Sequence, residues 1–500
     1  MADLKKAYLS NWIKGANQSV SPLLMDDDSL KVQNGIVTSY RLGAMLKDTG
    51  YSRHGGVIQA SKSITGLFDS RETPSIKRLL ATIDDSTSDD TQLFYDNAGT
   101  WTEIAAAETA WANFAGINVE MENFIGFTFF VGYGATDGFL PVGSLTNTTF
   151  STSTNVTSMP TAKYIKRYRD RLYVANCKVS GTAYPYRVYF SSVPSAGAIT
   201  WDTTLDYIEV DYSEEITGIA AAWDYLVIFT TDSFYYYNQA SKKKLWSTGC
   251  VGQRTIQQTD SYLIWCSQDG VYVSANLGRP QNISGNVIDF IRSGTPSNFK
   301  SALVDEEYHL FVGNVSVDGV GYTNVLLTFN FPTSSWRWRE LADEMTILAK
   351  YNSSGVNRLY MGDTAGQVWN KGKFTDATLV CSDGKIDSTE GAAISVNIET
   401  KPYAFGDPSV RKNIKKVTVF AERAIGAQLK LRAYDTNTRA LSPYQSLGQL
   451  TKYINVFDGL DLEANLLQFG ITESSKNEYF SILGMVVEYA EVAIPNTSRK

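Results

Sequence analysis

One cadence recurs along this chain and constrains its fold more than any other feature: a strand of small or β-branched residues, a polar turn, a second strand rich in aromatics, then a longer loop. The stretch ITGIAAAWDYLVIFTTDSFYYYNQ, residues 216–239, shows it plainly. Tyr225 to Thr230 is β-branched and aromatic, Thr231, Asp232 and Ser233 break the run, and Phe234 to Tyr237 resume it. That pattern predicts antiparallel strands joined by tight turns. An isolated hairpin is marginal in water, because it buries too little apolar area to offset the entropy of ordering it. The repeats must therefore cover one another.

Seven stretches carry the cadence, at 64–104, 117–143, 162–192, 216–239, 257–275, 301–341 and 346–370. A spacing of about 40 to 50 residues is that of propeller blades, in which each small sheet hides one face on the sheet before and one on the sheet after. An all-β chain is expected, with a β-propeller of about seven blades over 57–372, six to eight being compatible with the divergent stretches at 143–162 and 276–300. After residue 370 the texture changes. Residues 394–405, 414–423, 427–435, 465–472 and 480–494 alternate apolar and polar positions strictly, which predicts strands with one buried and one solvated face. An antiparallel β-sandwich or jelly-roll-like domain is expected over 382–495, with a segment over 1–56 that packs on or closes the propeller.

Composition narrows the function. There are 29 Tyr, 23 Phe and 10 Trp, against 2 His and 4 Cys, so ligands for transition-metal chemistry are scarce. Cys177, Cys250, Cys266 and Cys381 show no CxxC pairing and read as buried free thiols, with a Cys250–Cys266 disulfide as the alternative. A net charge of −7 argues against a protein that coats nucleic acid. The start MADLKKAYLSNWIKGANQS lacks the apolar core of a secretory signal, and no apolar run reaches the roughly 18 to 20 residues of a membrane helix. Synthesis in the cytoplasm and no membrane partner are expected.

The phrasing and order of several stretches resemble one family. IVTSYRLGAMLKDTGYSRHGG at 36–56, YIKRYRDRLYVAN followed by RVYFSS, ITGIAAAWDYLVIFTTDSFYYYN, LTFNFPTSSWRWREL and the closing FSILGMVVEYA together look like the β-propeller tail nozzle, or tail-hub and head-completion, proteins of tailed bacteriophages. The resemblance spans most of the chain. It implies a structural virion protein without enzymatic activity or cofactor, assembled in the host cytoplasm. Copies would form a ring, a hexamer in that family, below the portal and adaptor. The ring would meet tail fibre or needle proteins, extend the channel for double-stranded DNA and retain the genome until ejection.

Other chemistry is sparse. The basic run KYIKRYRDR interleaves cations with tyrosines, a pattern suited to phosphate and base contact, so Lys166, Arg167, Arg169 and Arg171 are candidates for DNA or inter-subunit contact. Strand alternation would put Arg167, Arg169 and Arg171 on one face, and a solvated blade edge is the plain alternative. The Thr- and Ser-rich segment 143–161, with Thr146, Thr148, Thr149 and Thr152, reads as a flexible insertion that could gate a channel or strap a partner. The acidic run with Asp206, Glu209, Asp211, Glu214 and Glu215 could supply a glycosidase pair or hold Ca²⁺, with Glu209 and Asp211 sharing a strand face. His309 could be a base, but no G-x-S-x-G elbow accompanies it. Trp336 and Trp338 could stack on sugars. The alternatives to a nozzle are thus a carbohydrate- or receptor-binding tail propeller or a propeller glycoside hydrolase.

Overall fold

The computed structural model describes residues 4–18, 20–21, 24–38, 43–85, 90–376, 378–386, 389, 391–422, 426–435, 440–476 and 478–492. Residues 39–42 of the segment resembling the nozzle family, 86–89 of the first repeat and 493–495 of the closing region lie outside them. The chain divides into two compact units, one of residues 52–324 and 343–371 and one of 1–51, 325–342 and 372–500.

The first unit is the propeller. Its first five blades are antiparallel sheets with a path of four strands in chain order, opening with Ser63–Arg71, Asn118–Phe124, Thr161–Tyr168, Ile216–Ala222 and Gln257–Gln258; the second carries a fifth short strand, Gly138–Phe139, on Phe127–Gly134. The sixth opens with Lys300–Val304 and Glu307–Val317, and the chain leaves this unit at residue 324, within Val320–Asn330. The seventh is built from Met345–Ser353, Val356–Asp363 and Val368–Lys371, with Tyr51–Arg53 added as its outer strand. The His54 amide extends that closure by donating to the Val368 carbonyl at 2.8 Å.

Local sequence explains the blades. In the fourth, Ile216–Ala222 pairs with Tyr225–Thr230 across the turn Trp223-Asp224, whose φ values of 49° and 66° match the twist of the flanking strands. Apolar clusters then sit between blades rather than within them. Leu80 and Leu93 meet Val119 and Phe130, Phe129 and Val131 meet Leu172 and Val174, and Tyr173 and Val188 meet Ile219 and Ile228. Val227 and Phe229 meet Leu263 and Trp265. The fifth and sixth blades are joined by the Tyr308 hydroxyl, which donates to the Thr255 carbonyl at 2.9 Å. Ile347, Tyr360 and Val368 pack on Ile64, Leu79 and Phe94, so the last blade meets the first and the circle closes.

The second unit is a β-sandwich. One sheet contains Ile36–Thr38, Met45–Lys47, Ser481–Glu491, Lys412–Glu422 and Ile454–Ala464 in spatial order, with Lys5–Leu9 also paired to Ser481–Glu491. The other contains Ser335–Glu340, Gly15–Ala16, Ser29–Asn34, Val396–Thr400, Leu466–Glu473 and Gln428–Asp435. Ile414, Val417, Val419, Ile482 and Val487 from the first sheet share one core with Leu30, Ile398, Leu429, Phe469 and Ile471 from the second. Alternation along Lys412–Glu422 has the expected meaning, since its buried positions are those facing that core.

The boundaries differ from the expected 1–56, 57–372 and 382–495. Most of the N-terminal segment supplies sandwich strands, Lys5–Leu9 lying on Ser481–Glu491 and Ser29–Asn34 on Val396–Thr400, and residues 325–342 also belong to that unit. These pairings join positions far apart in the chain, and nothing local in the sequence marks them.

Candidate functional site

The opening strands of the blades surround the propeller axis, and their side chains divide it. A cavity of about 270 Å³ is lined by Asp69, Glu120, Glu122, Lys166, Arg254 and Lys350. A second, of about 380 Å³, is lined by Thr65, Asn118, Arg254, Ser297, Lys300 and Asn314 among others. Arg254 belongs to both. It sits on the single turn Gln253–Thr255 that leads into the fifth blade, and its guanidinium crosses to the first two. There it donates to the Thr65 carbonyl at 2.5 Å, the Val119 carbonyl at 3.2 Å, Asn118 Oδ1 at 2.9 Å and Glu120 Oε1 at 3.0 Å. Cavities of this size suit small ligands and not a duplex.

Lys300, beside this bolt, donates from Nζ to the Ser297 carbonyl at 2.6 Å. Burial and the neighbouring Arg254 charge bring its amine down to about 7, against the opposing pull of Glu120. Lys166 has the opposite environment. Glu122 lies 2.8 Å from its Nζ and raises its pKa against the cost of burial. Sequence reasoning missed Arg254, which sits on an isolated turn, and Lys300, the first residue of the strand Lys300–Val304; neither lies in a recognisable motif.

The other basic candidates are brought together in part. Arg167 is the last residue but one of the first strand of the third blade, Thr161–Tyr168, exposed, with its guanidinium over the Phe124 ring at 5.7 Å. Arg169 and Asp170 form the turn, since Tyr168 pairs directly with Arg171, and Arg169 has a φ of 51°. Arg171 begins the return strand, where it donates to the Ser191 carbonyl at 2.9 Å. The three arginines therefore share a hairpin end but not a strand face; the turn interrupts the alternation that would have aligned them. Arg169 is bound to the next blade, its Nε 3.0 Å and its Nη2 2.8 Å from the two Asp224 carboxylate oxygens.

Segment 143–161 is not a flexible insertion. Gly143–Thr146 and Thr149–Ser151 form the outer hairpin of the second blade, with Leu145 and Phe150 buried in the cluster shared with the first. Val156 and Met159, further on, are buried against the third blade. Thr146 is half-buried, and Thr148, Thr149 and Thr152 are exposed beside this hairpin. Apolar anchors at every few positions hold a segment whose composition reads as loop.

The acidic run is also tied down. Glu209 ends the short strand Tyr207–Glu209 and accepts from Arg187 Nε at 2.5 Å, while Asp211 lies beyond it and accepts from the Ser213 amide at 3.0 Å. The two do not share a strand. Glu214 accepts from Thr230, Ser233 and Lys244, and Glu215 pairs with Lys163 at 2.8 Å. His309 is buried, 3.7 Å from Glu307. Trp336 and Trp338 are 1% and 2% exposed and are closed to a sugar ring. Cys177, Cys250, Cys266 and Cys381 are all free thiols, so Cys250 and Cys266 form no disulfide. Among the described residues, no group of three or more His, Cys, Asp or Glu is placed to hold a metal ion, and no helix is long and apolar enough to cross a membrane.

No protein-family profile and no curated protein matches the chain. Solved structures similar to it include PorZ, an essential bacterial surface component of the type-IX secretion system of Porphyromonas gingivalis, at 11% identity and a TM-score of 0.39. That likeness covers 82% of this chain and 48% of PorZ, so the chain spans about half the length of that protein. The AfRom2 CNH domain follows at 10% identity and a TM-score of 0.39, over 64% of this chain and 98% of the domain. The Neurospora crassa Pan2 WD40 domain matches at 9% identity and a TM-score of 0.37, over 66% of this chain and 96% of the domain. The class of the chain, an all-β propeller with a β-sandwich, stands on its own sheets and inter-blade cores.

Proposed function

We propose that this chain is a structural protein of a virus particle, a ring-forming tail nozzle that prolongs the DNA channel below the portal and adaptor and retains the packaged genome until ejection. The reading grows from the order of its stretches, from residues 36–56 through the blades to the closing sandwich strand. The observation that carries it is the use made of charge. Lys166 with Glu122, Lys163 with Glu215 and Arg169 with Asp224 join neighbouring blades, so side chains that a catalytic site would use for chemistry stiffen the propeller instead. A rigid block suits a part that must hold a packed genome. Because Arg254 divides the axis of a single copy, DNA passes through the ring of copies and not through one propeller.

In this reading Arg167 is the member of the basic hairpin that meets phosphate, being exposed and without an acidic partner among the described residues. The sugar-binding and hydrolase readings lose the residues that favoured them, since Trp336 and Trp338 are buried and Glu209 is held by Arg187. Gold labelling of purified particles with an antibody to this chain tests the assignment, with label expected at the base of the tail. Particles without label, in a culture rich in the free protein, would sink it. Arg167→Glu is expected to yield filled particles that leak genome; unchanged retention removes that residue from the role.

A further inference from the structure

Within the sandwich, the sheet built on Ser481–Glu491 has edge strands at Lys5–Leu9 and Ile454–Ala464, besides the short Ile36–Thr38, among the described residues. Lys5–Leu9 pairs only with Ser481–Glu491, and Ile454–Ala464 pairs only with Lys412–Glu422, among the described residues. An open edge presents unpaired backbone donors and acceptors, a template for another strand.

The side chains across the sheet give that template a direction. Lys6 stands opposite Glu488, Glu488 opposite Lys416, and Lys416 opposite Asp458, a row of alternating sign that runs from one edge to the other. Glu488 is 3.2 Å from Lys6 and 3.8 Å from Lys416, whereas Asp458, at the open end, has no cation partner among the described residues. The neighbouring row runs Tyr8, Val486, Thr418, Val456 and ends in exposed side chains, Tyr8 at 71% and Val456 at 48%. Ile454 and Tyr453 extend the exposed apolar patch at the Asp458 edge.

We infer that the Lys5–Leu9 edge of one copy adds to the Ile454–Ala464 edge of a second copy, antiparallel, with Lys6 opposite Asp458 and Tyr8 opposite Val456. That register continues both rows without a break. It also puts Ala7 opposite Phe457 on the core side, where both already pack. Charged edges ordinarily deter pairing, but here the deterrence is selective. Two lysine edges repel, as do two acidic edges, so like-to-like contacts are opposed and the head-to-tail contact is favoured. A head-to-tail contact closes into a ring or runs on as a filament. The inference deepens the nozzle reading and rests on it for the expectation that copies associate at all.

Disulfide trapping in the full-length chain tests it. In one copy, positions 8 and 456 are separated by three strand spacings, about 14 Å, beyond the roughly 7 Å that a disulfide spans. In a Cys381→Ser background, Tyr8→Cys with Val456→Cys is expected to give, on oxidation, a ladder of covalent oligomers that collapses on reduction. Tyr8→Cys with Phe457→Cys, one residue out of register, is expected to give none. Asp458→Lys should weaken self-association by about tenfold or more, and mixing it with Lys6→Asp should restore it by pairing the reversed charges. If the parent chain assembles but positions 8 and 456 do not cross-link, the edge pairing is wrong and the ring reading survives. A parent chain that stays monomeric at high concentration overturns both.

Discussion

The propeller and the sandwich place charge differently, and the contrast follows from how each is threaded. Propeller blades are built from consecutive segments, and their charges meet at the axis or across hairpin ends, as in Arg254 with Glu120 and Arg169 with Asp224. The sandwich gathers segments from both ends of the chain and its middle, and its key pairs are dry. Lys47 and Glu473 stand 2.6 Å apart at 0% and 1% side-chain exposure, and Lys47 also donates to the Ser475 carbonyl. Arg339, from the middle segment, binds both Asp48 and Asp383, all three at 5% exposure or less. Burial opposes the charge on Arg339, but the two aspartates outweigh it and raise its pKa. Pairs of this kind add little net stability over apolar replacements, yet losing one partner is costly. Their effect is to specify which distant segments meet.

The sharpest break of this comparison is Arg339→Met. It leaves Asp48 and Asp383 buried without their cation, at a cost of roughly 3 to 5 kcal/mol. Hydrogen exchange is expected to show protection lost across Lys412–Glu422 and Leu466–Glu473 while Tyr225–Thr230, inside the fourth blade, keeps its protection. Equal loss in both units would show that the two do not unfold separately and would erase the distinction.

A smaller effect is expected at the propeller axis. Arg254→Met removes hydrogen bonds to the first two blades and strands Glu120, whose side chain retains 22% exposure and so pays less than a buried partner. A loss of about 2 kcal/mol is expected in denaturant titration, with faster exchange along Ser63–Arg71 and Asn118–Phe124. A cost as large as that of Arg339→Met would mean that the axis is as dry as the sandwich core.

The same contrast decides what could be read in advance. Blade strands such as Tyr225–Thr230 are legible because a β-branched and aromatic run and its bounding turns lie within a few residues of the partner strand. The outer hairpin at Gly143–Thr146 and Thr149–Ser151 is not, since Thr and Ser dominate it and its anchors Leu145 and Phe150 are isolated. Nor is Lys5–Leu9, whose partner Ser481–Glu491 lies at the other end of the chain. Of the basic site, the hairpin carrying Arg167 and Arg169 is legible, whereas Arg254 matters only because the closed ring brings blades one and two opposite blade five.

Lys300 sharpens the comparison with the smallest effect, because among the described residues it is a propeller charge without the matched acidic partner that the sandwich charges have. Its amine titrates near 7 in the folded chain, lowered by burial and by Arg254, and near 10.4 in the unfolded chain. Between those values the unfolded state holds a proton that the folded state has released, so this group's contribution to stability rises as pH climbs from about 7 to 10.4. Below 7 both states are protonated and the folded state bears the full penalty. Lys300→Met should therefore stabilise the protein at pH 6 by roughly 1 to 2 kcal/mol, a discounted figure because the side chain keeps partial exposure. The gain should shrink through the window and vanish near pH 10.5. Thermal unfolding of parent and variant at several pH values checks this. A gain that does not change with pH would make the effect one of packing, and would place Lys300 with the neutral lining of the cavity instead of among its charges.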